Sequence, residues 1–172
     1  DAGLDWHWDE ALYGELLAVT GSKERIRHFA ARHAPDVAAL ADFDALVATL
    51  HATKTAHYVR LVDSGQLPLR PGVGRLITEA RTAGVRLAIA TTTTPENVAA
   101  LLKSALGPEA SSWFEVIGAG DIVPAKKPAP DIYHWVLARL GLPPGACLAL
   151  EDSENGLAAS LGAGIPTLIT EN

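Results

Sequence analysis

Cys147-Leu148-Ala149-Leu150-Glu151-Asp152-Ser153-Glu154-Asn155-Gly156 is the stretch on which the reading of this 172-residue chain turns. A short apolar run stops at two acids, and a helix of small residues follows. In an open parallel sheet, ligands sit outside the carboxyl ends of the strands. Adjacent carboxylates there are costly to keep ionised together unless a cation neutralises them. Hard oxygen donors that leave room for water and a substrate phosphate suit Mg²⁺. Acids at a helix N-terminus also favour the helix dipole without any metal. The rest of the chain decides between the two readings.

Outward from that stretch, the second half of the chain alternates strands with helices. Val73 to Thr82 reads as a helix stopped by Gly84, and Val85 to Ala90 as a buried strand. Thr94-Pro95-Glu96 supplies a cap, a proline at the first helical position and an acid in the first turn. That helix runs to about Ala105. Phe114 to Ile117 is a second strand, Pro130 to Leu140 a helix ended by Gly141, and Cys147 to Leu150 a third strand. Ser153 to Leu161 is a further helix and Pro166 to Ile169 a fourth strand. This alternation predicts βαβ units and a doubly wound parallel α/β sheet.

The first 66 residues read as helices only. Ser22 is a candidate N-cap with Glu24 in the first turn, and Pro35 ends the helix it opens. Asp42-Phe43 opens a longer helix. There Phe43, Leu46, Val47, Leu50, Tyr58 and Leu61 recur at helical spacing. Lys54 falls within that apolar stripe, where a lysine either snorkels out or points into a cleft and meets an anion. His57 borders the stripe and reads as a packed histidine. Leu67-Pro68-Leu69-Arg70-Pro71-Gly72-Val73 is a stiff connection. It sets the expected division into a helical domain, 1–66, and a Rossmann-like domain, 67–172.

Composition narrows the function. Hydrophobic residues make up 48% and charged residues 20%, enough for a packed core. A net charge of -6 argues against a nucleic-acid partner. No apolar run is long enough for a membrane span. Cys147 is the one cysteine, so a disulfide framework is excluded and a reducing, cytoplasmic setting fits. The chain is expected to act as a monomer.

Two other strand ends carry chemistry. Thr91-Thr92-Thr93-Thr94 follows the first strand and precedes a helix, where hydroxyls and backbone N–H groups form an anion site. The same run also reads as four β-formers with one cap. Lys126-Lys127-Pro128-Ala129-Pro130-Asp131 follows the second strand. Either it is a solvated basic pair or it holds a fixed positive charge for a phosphoryl group. Hydroxyl, lysine and acid pair on successive strands together describe a Mg²⁺-dependent phosphoryl-transfer site.

The order Ala90-Thr91, Lys127-Pro128-Ala129-Pro130-Asp131 and Leu150-Glu151-Asp152-Ser153 with Gly156 resembles the haloacid dehalogenase superfamily of phosphatases and phosphomutases. The likeness covers essentially the whole chain. The nearest branch is the CbbY-like one, beside β-phosphoglucomutase. The resemblance implies a helical C1-type cap over residues 1–66, incomplete at its start, on a Rossmann-like core whose central first strand is missing. It implies that Thr91 and the backbone at Thr92 bind the transferring phosphoryl group. Lys127 would neutralise that group and the nucleophile, and Asp152 with Glu151 would hold Mg²⁺. Thr20 to Arg25 is similar to the family's specificity loop, which puts Lys23 at a distal phosphate, and Lys54 matches a cap lysine facing the substrate.

The family's nucleophile lies in an Asp-x-Asp-Gly-Thr motif before the cap. Asp42-Phe43-Asp44 imitates it, but Ala45-Leu46 stands where Gly-Thr is required, and the acids open a helix instead. The expectation is a chain cut before the cap and after Asn172, inactive alone. The intact protein would be a sugar-phosphate phosphatase working through an aspartyl-phosphate on a small phosphorylated sugar. A pentulose bisphosphate such as xylulose 1,5-bisphosphate is the expected substrate. A phosphomutase of the β-phosphoglucomutase type and a non-catalytic phosphate-binding domain are the alternatives.

Overall fold

The computed structural model describes residues 3–65 and 67–170. Gln66, at the expected domain boundary, and the terminal residues Asp1, Ala2, Glu171 and Asn172 lie outside them. The chain divides into two compact units, Asp1–Ala56 and His57–Asn172. The division falls inside a helix, upstream of the proline-rich connection at which the sequence suggests a boundary.

The first unit is helical. Helix α1 spans Glu10–Leu16, and the Asp9 side chain caps it by accepting from the Leu12 N–H at 2.8 Å. Helix α2 spans Ser22–His33 and α3 spans Pro35–Ala38. Helix α4, Phe43–Asp63, begins in this unit. Leu16, Ile26, Phe29, Ala30 and Val47 form its buried interior. The Trp6 and Trp8 rings lie 5.0 and 5.1 Å from Phe29, and Phe29 stacks on His33 at 4.9 Å. Gly21, not Ser22, is the cap of α2, with φ at 95°. The Glu24 carboxylate folds back so closely that a Cβ at Gly21 would meet its Oε2 at 2.1 Å. Serine rarely adopts that positive φ, and Ser22 becomes the first helical residue. Pro35 opens α3 at its first turn, a position that needs no N–H.

The stripe of α4 is not the single one that spacing predicts. Val47 and Val62 are fully buried, whereas Leu61 is 44% exposed. The helix runs from one unit into the other, so its buried face is not continuous. Lys54 consequently sits on the exposed side rather than in mid-stripe.

In the second unit, α5 (Val73–Thr82) leads to β1 (Ala88–Ala90), α6 (Pro95–Leu106) and β2 (Val116–Gly118). Then come α7 (Asp131–Leu140), β3 (Ala149–Glu151), α8 (Glu154–Gly162) and β4 (Thr167–Ile169). β1 pairs with β2 in parallel, Ile89 opposite Ile117, and β3 pairs with β4 in parallel, Leu150 opposite Leu168. This is the α/β architecture with parallel strands expected above, resolved as two strand pairs rather than one ladder. Each strand is three residues long, shorter than its apolar run. The paired register ends sooner than the hydrophobic pattern does. Leu150 and Leu168, one cross-strand pair, are 50% and 55% exposed.

Helix α7 backs the β1–β2 sheet, and its Ile132, Tyr133, Val136 and Leu137 are all buried. Ile132, Tyr133 and Leu137 join Ala149, Ala159 and Ile165 in one core cluster. Val98 and Leu102 of α6 form a second with Ala110 and Ala119. Gly141 ends α7 in the left-handed conformation at φ 64°, which glycine adopts without strain.

Candidate active site

Thr91 extends the β1 ladder, its N–H donating to the Gly118 carbonyl at 2.9 Å. The chain then turns into α6. Thr91 Oγ1 accepts from the Thr93 N–H at 3.2 Å, and Thr94 Oγ1 caps the helix by accepting from the Asn97 N–H at 3.4 Å. The four threonines thus have separate duties. Thr91 bends the chain and Thr94 caps α6. Thr93 takes a 3.2 Å hydrogen bond from Asn97 Nδ2, and Thr92 lies half-buried between them. An acceptor hydroxyl leaves its own proton available to an anion. The helix N-terminus adds partial positive charge.

Lys127 joins the ends of the two sheets. Its ammonium donates to the Ala90 carbonyl at 2.9 Å, immediately before Thr91, and also to Glu151 Oε1 at the end of β3. The lysine side chain is 11% exposed and the glutamate side chain 8%. A pair so shielded from water is held by geometry more tightly than a surface pair. Lys126 is not a solvated twin. It donates to the Gly120 carbonyl at 2.6 Å and pairs with Asp121.

Tyr133 was not singled out from the sequence. Its hydroxyl donates to the same Glu151 Oε1, and the Lys127 ammonium stands 5.0 Å from its ring centroid. Burial, then the bond and charge of Glu151, push its pKa far above the ordinary tyrosine value, so the hydroxyl stays a donor. The other face of Glu151 abuts the start of α8. A Cβ on Gly156 would fall 1.8 Å from Glu151 Oε2. Ser153 caps that helix, accepting from the Gly156 N–H at 3.1 Å.

Asp152 is exposed at the end of β3. Asp152 and Glu151 therefore face different surroundings: one carboxylate is open, and the other is engaged by Lys127 and Tyr133. Among the described residues no group of three or more His, Cys, Asp and Glu converges. Mg²⁺ commonly takes one or two protein carboxylates and fills its octahedron with water and phosphate oxygens. These hard donors suit it, Asp152 first and Glu151 through its remaining oxygen.

In the first unit, Lys54 Nζ donates to Ser22 Oγ at 3.4 Å. Burial of the ammonium end, and then the Arg25 cation, hold its pKa below the ordinary lysine value. Arg25 is a second residue that spacing did not reveal. It donates to the carbonyls of Leu16 and Val19 at 3.0 and 3.1 Å and to the Tyr13 hydroxyl at 3.2 Å. Those bonds fix a cation beside Lys54. Lys23 is half-buried in the first turn of α2. Asp44, of the imitation nucleophile motif, lies in the first turn of α4 and pairs with Arg27 at 2.9 Å.

The family model described as haloacid dehalogenase-like hydrolase matches residues 2–164. The plasmid-encoded protein CbbY of Cupriavidus necator is 51% identical over 170 residues, covering 99% of this chain and 67% of that protein. Protein CbbY of Rhodobacter capsulatus is 49% identical, covering 98% of this chain and 72% of its own length. Among solved structures, a CbbY variant from Rhodobacter sphaeroides in complex with xylulose 1,5-bisphosphate superposes with a TM-score of 0.88 at 46% identity. That match covers 99% of this chain and 73% of the other. β-Phosphoglucomutase from Clostridium difficile, at 20% identity and a TM-score of 0.74, shares the fold. No helix among the described residues is long and apolar enough to cross a membrane.

Proposed function

Because the chain belongs to the haloacid dehalogenase-like hydrolases and is a phosphatase of that family, we propose that its full-length protein removes one phosphate from a pentulose bisphosphate, with xylulose 1,5-bisphosphate the first candidate. The observation that carries this reading is the Lys127 ammonium spanning the Ala90 carbonyl and Glu151, between the threonine turn and the acid pair. The likeness to a CbbY crystallised with xylulose 1,5-bisphosphate supports the choice of sugar.

In this reading Thr91, through its hydroxyl, and Thr92, through its backbone, hold the phosphoryl oxygens. Lys127 offsets the charge that develops on them during transfer. Asp152 and Glu151 hold Mg²⁺, which when bound lowers the repulsion between the phosphoryl group and an anionic nucleophile. The nucleophile is an aspartate outside these 172 residues, since no Asp-x-Asp-Gly-Thr occurs in them. Its carboxylate attacks phosphorus, the phosphorus–oxygen bond to the sugar breaks, and the sugar oxygen leaves with a proton from the second aspartate of that motif, which then takes a proton from the attacking water. Water then cleaves the aspartyl-phosphate to inorganic phosphate. Lys23 and Lys54 in the cap, residues 1–66, take the distal phosphate, while residues 67–172 form the catalytic core. The half-buried free Cys147 supports placing the protein in the reducing cytoplasm, and we expect a monomer.

The test is phosphate release, with and without Mg²⁺, from a panel of sugar mono- and bisphosphates. It uses the 172 residues alone and the full product of the gene. Release by the full product, dependent on Mg²⁺ and fastest on a pentulose bisphosphate, is the expected result. Conversion of a sugar phosphate to its isomer would turn the reading to a phosphomutase, and binding without turnover to a phosphate-binding domain.

A further inference from the structure

We propose that Tyr133 is a positioning residue of the phosphoryl-transfer site, holding Glu151 and Lys127 in one arrangement through its hydroxyl; this rests on the phosphatase reading above. The inference comes from the placement of one buried side chain. Tyr133 is 7% exposed and belongs to the core cluster behind the site. A phenylalanine would fill that space equally well. The hydroxyl is explained by what it meets. It donates to Glu151 Oε1, the same oxygen that takes the Lys127 ammonium.

Two donors on one oxygen fix the carboxylate in rotation. With Lys127 alone as a partner, the carboxylate could turn about its last side-chain bond and carry the ammonium with it. On the side of Gly156, the missing Cβ leaves the space that Oε2 occupies. The Tyr133 hydroxyl anchors the other oxygen, Oε1. The ring has a second effect, since the ammonium lies 5.0 Å from its centroid, within cation–π range. Tyr133 thus touches both members of the pair from α7, the helix that packs on the β1–β2 sheet and reaches Ala149 of β3 through the core cluster. Lys127 in turn stays against the Ala90 carbonyl, beside the threonine turn. Tyr133 needs no contact with substrate for this role.

The test compares wild type, Tyr133→Phe and Tyr133→Leu in the full-length protein. Tyr133→Phe keeps the ring and removes only the hydroxyl. It should lower kcat about tenfold, the size expected for losing a hydrogen bond to a charged group, and leave KM within about twofold. Its melting temperature should stay near that of wild type, whereas Tyr133→Leu should also melt earlier. The ¹⁵N signal of the Lys127 ammonium, assigned with Lys127→Met, gives a readout independent of turnover. A held ammonium shows a sharp signal in wild type that broadens in Tyr133→Phe. Unchanged kcat and an unchanged ammonium signal in Tyr133→Phe would overturn the inference. A wild-type protein without phosphatase activity would overturn the functional reading instead, and the ammonium signal would still decide whether Tyr133 holds the pair.

Discussion

The two units each present a lysine next to a threonine- or serine-bearing turn, and they hold it in opposite ways. In the second unit, Lys127 is enclosed, with a carbonyl and the Glu151 carboxylate as acceptors. In the first, Lys54 lies on the open side of α4 but is partly shielded at its end, reaches Ser22 Oγ at 3.4 Å and shares its surroundings with the Arg25 cation. The chain itself supplies the counter-charge where a group must stand still during chemistry. On the proposed reading, the first unit gathers like charges whose repulsion an incoming anion would relieve. A like neighbour depresses the pKa of a lysine, and a bound phosphate would restore it.

The largest expected effect breaks the enclosed arrangement. Lys127→Met leaves the Glu151 carboxylate buried without its cation, which should destabilise the second unit by about 3 kcal/mol. Phosphate release by the full-length protein should fall on the order of 10³-fold. Chemical denaturation and steady-state kinetics measure the two losses. A variant that melts like wild type would mean that Glu151 is not held by its charge partner.

A smaller effect sharpens the contrast from the other side. Lys54→Ala should raise KM for a sugar bisphosphate about tenfold while leaving turnover of a simple aryl phosphate nearly unchanged, the mark of lost ground-state binding. Equal losses on both substrates would remove Lys54 from the distal phosphate. Its titration adds a sign. The folded pKa lies below 10.5, so affinity for the bisphosphate should weaken as pH climbs through that lowered value. Over the interval from there to 10.5 the unfolded chain binds more protons than the folded one, so Lys54's own contribution to stability rises with pH. Lys54→Ala should abolish both trends.

The smallest effect asks whether burial, rather than membership of the second unit, makes the difference. Arg86 and Glu115 form a two-pronged pair at 2.7 and 2.6 Å, and Arg86 also donates to the Leu140 carbonyl at 2.7 Å. Both side chains are largely open to water, so the pair should matter little despite its geometry. Arg86 depresses the Glu115 pKa below 4.5. Any stabilisation is therefore present above about that pH and lost as pH falls through the depressed value. Glu115→Gln should lower the melting temperature slightly at neutral pH and not at all in strong acid.

Much of the second unit was readable because its punctuation is local. Thr94 with Pro95 starts α6, Gly141 stops α7, and Ser153 caps α8; each acts on its own neighbours in the chain. Glu151 and Asp152 stood out for a related reason, since they follow an apolar run at a strand end, and Lys127 because it sits beside the Pro128-Ala129-Pro130 turn. Tyr133 and Asn97 were not. Both lie in helices among apolar residues, and their hydroxyl and amide acquire meaning only when another segment arrives. Asn97 is 2% exposed and spends its amide on Thr93. Arg25 was legible only as the end of the Thr20–Arg25 stretch, not as an anchored cation, because its carbonyl partners lie in the preceding helix end and loop. The stripe of α4 misled through its regularity. Period alone assumes one buried face, and this helix serves two units in turn.

Gly156 bears on the genetics of the protein. Every missense change reachable from a glycine codon by one base introduces a side chain, and the first atom of any side chain falls within 1.8 Å of Glu151 Oε2. Any such change obliges the Glu151 carboxylate to move. A change there displaces the glutamate that the lysine and the tyrosine share, so a lesion in α8 would be felt in the loop after β2 and in α7.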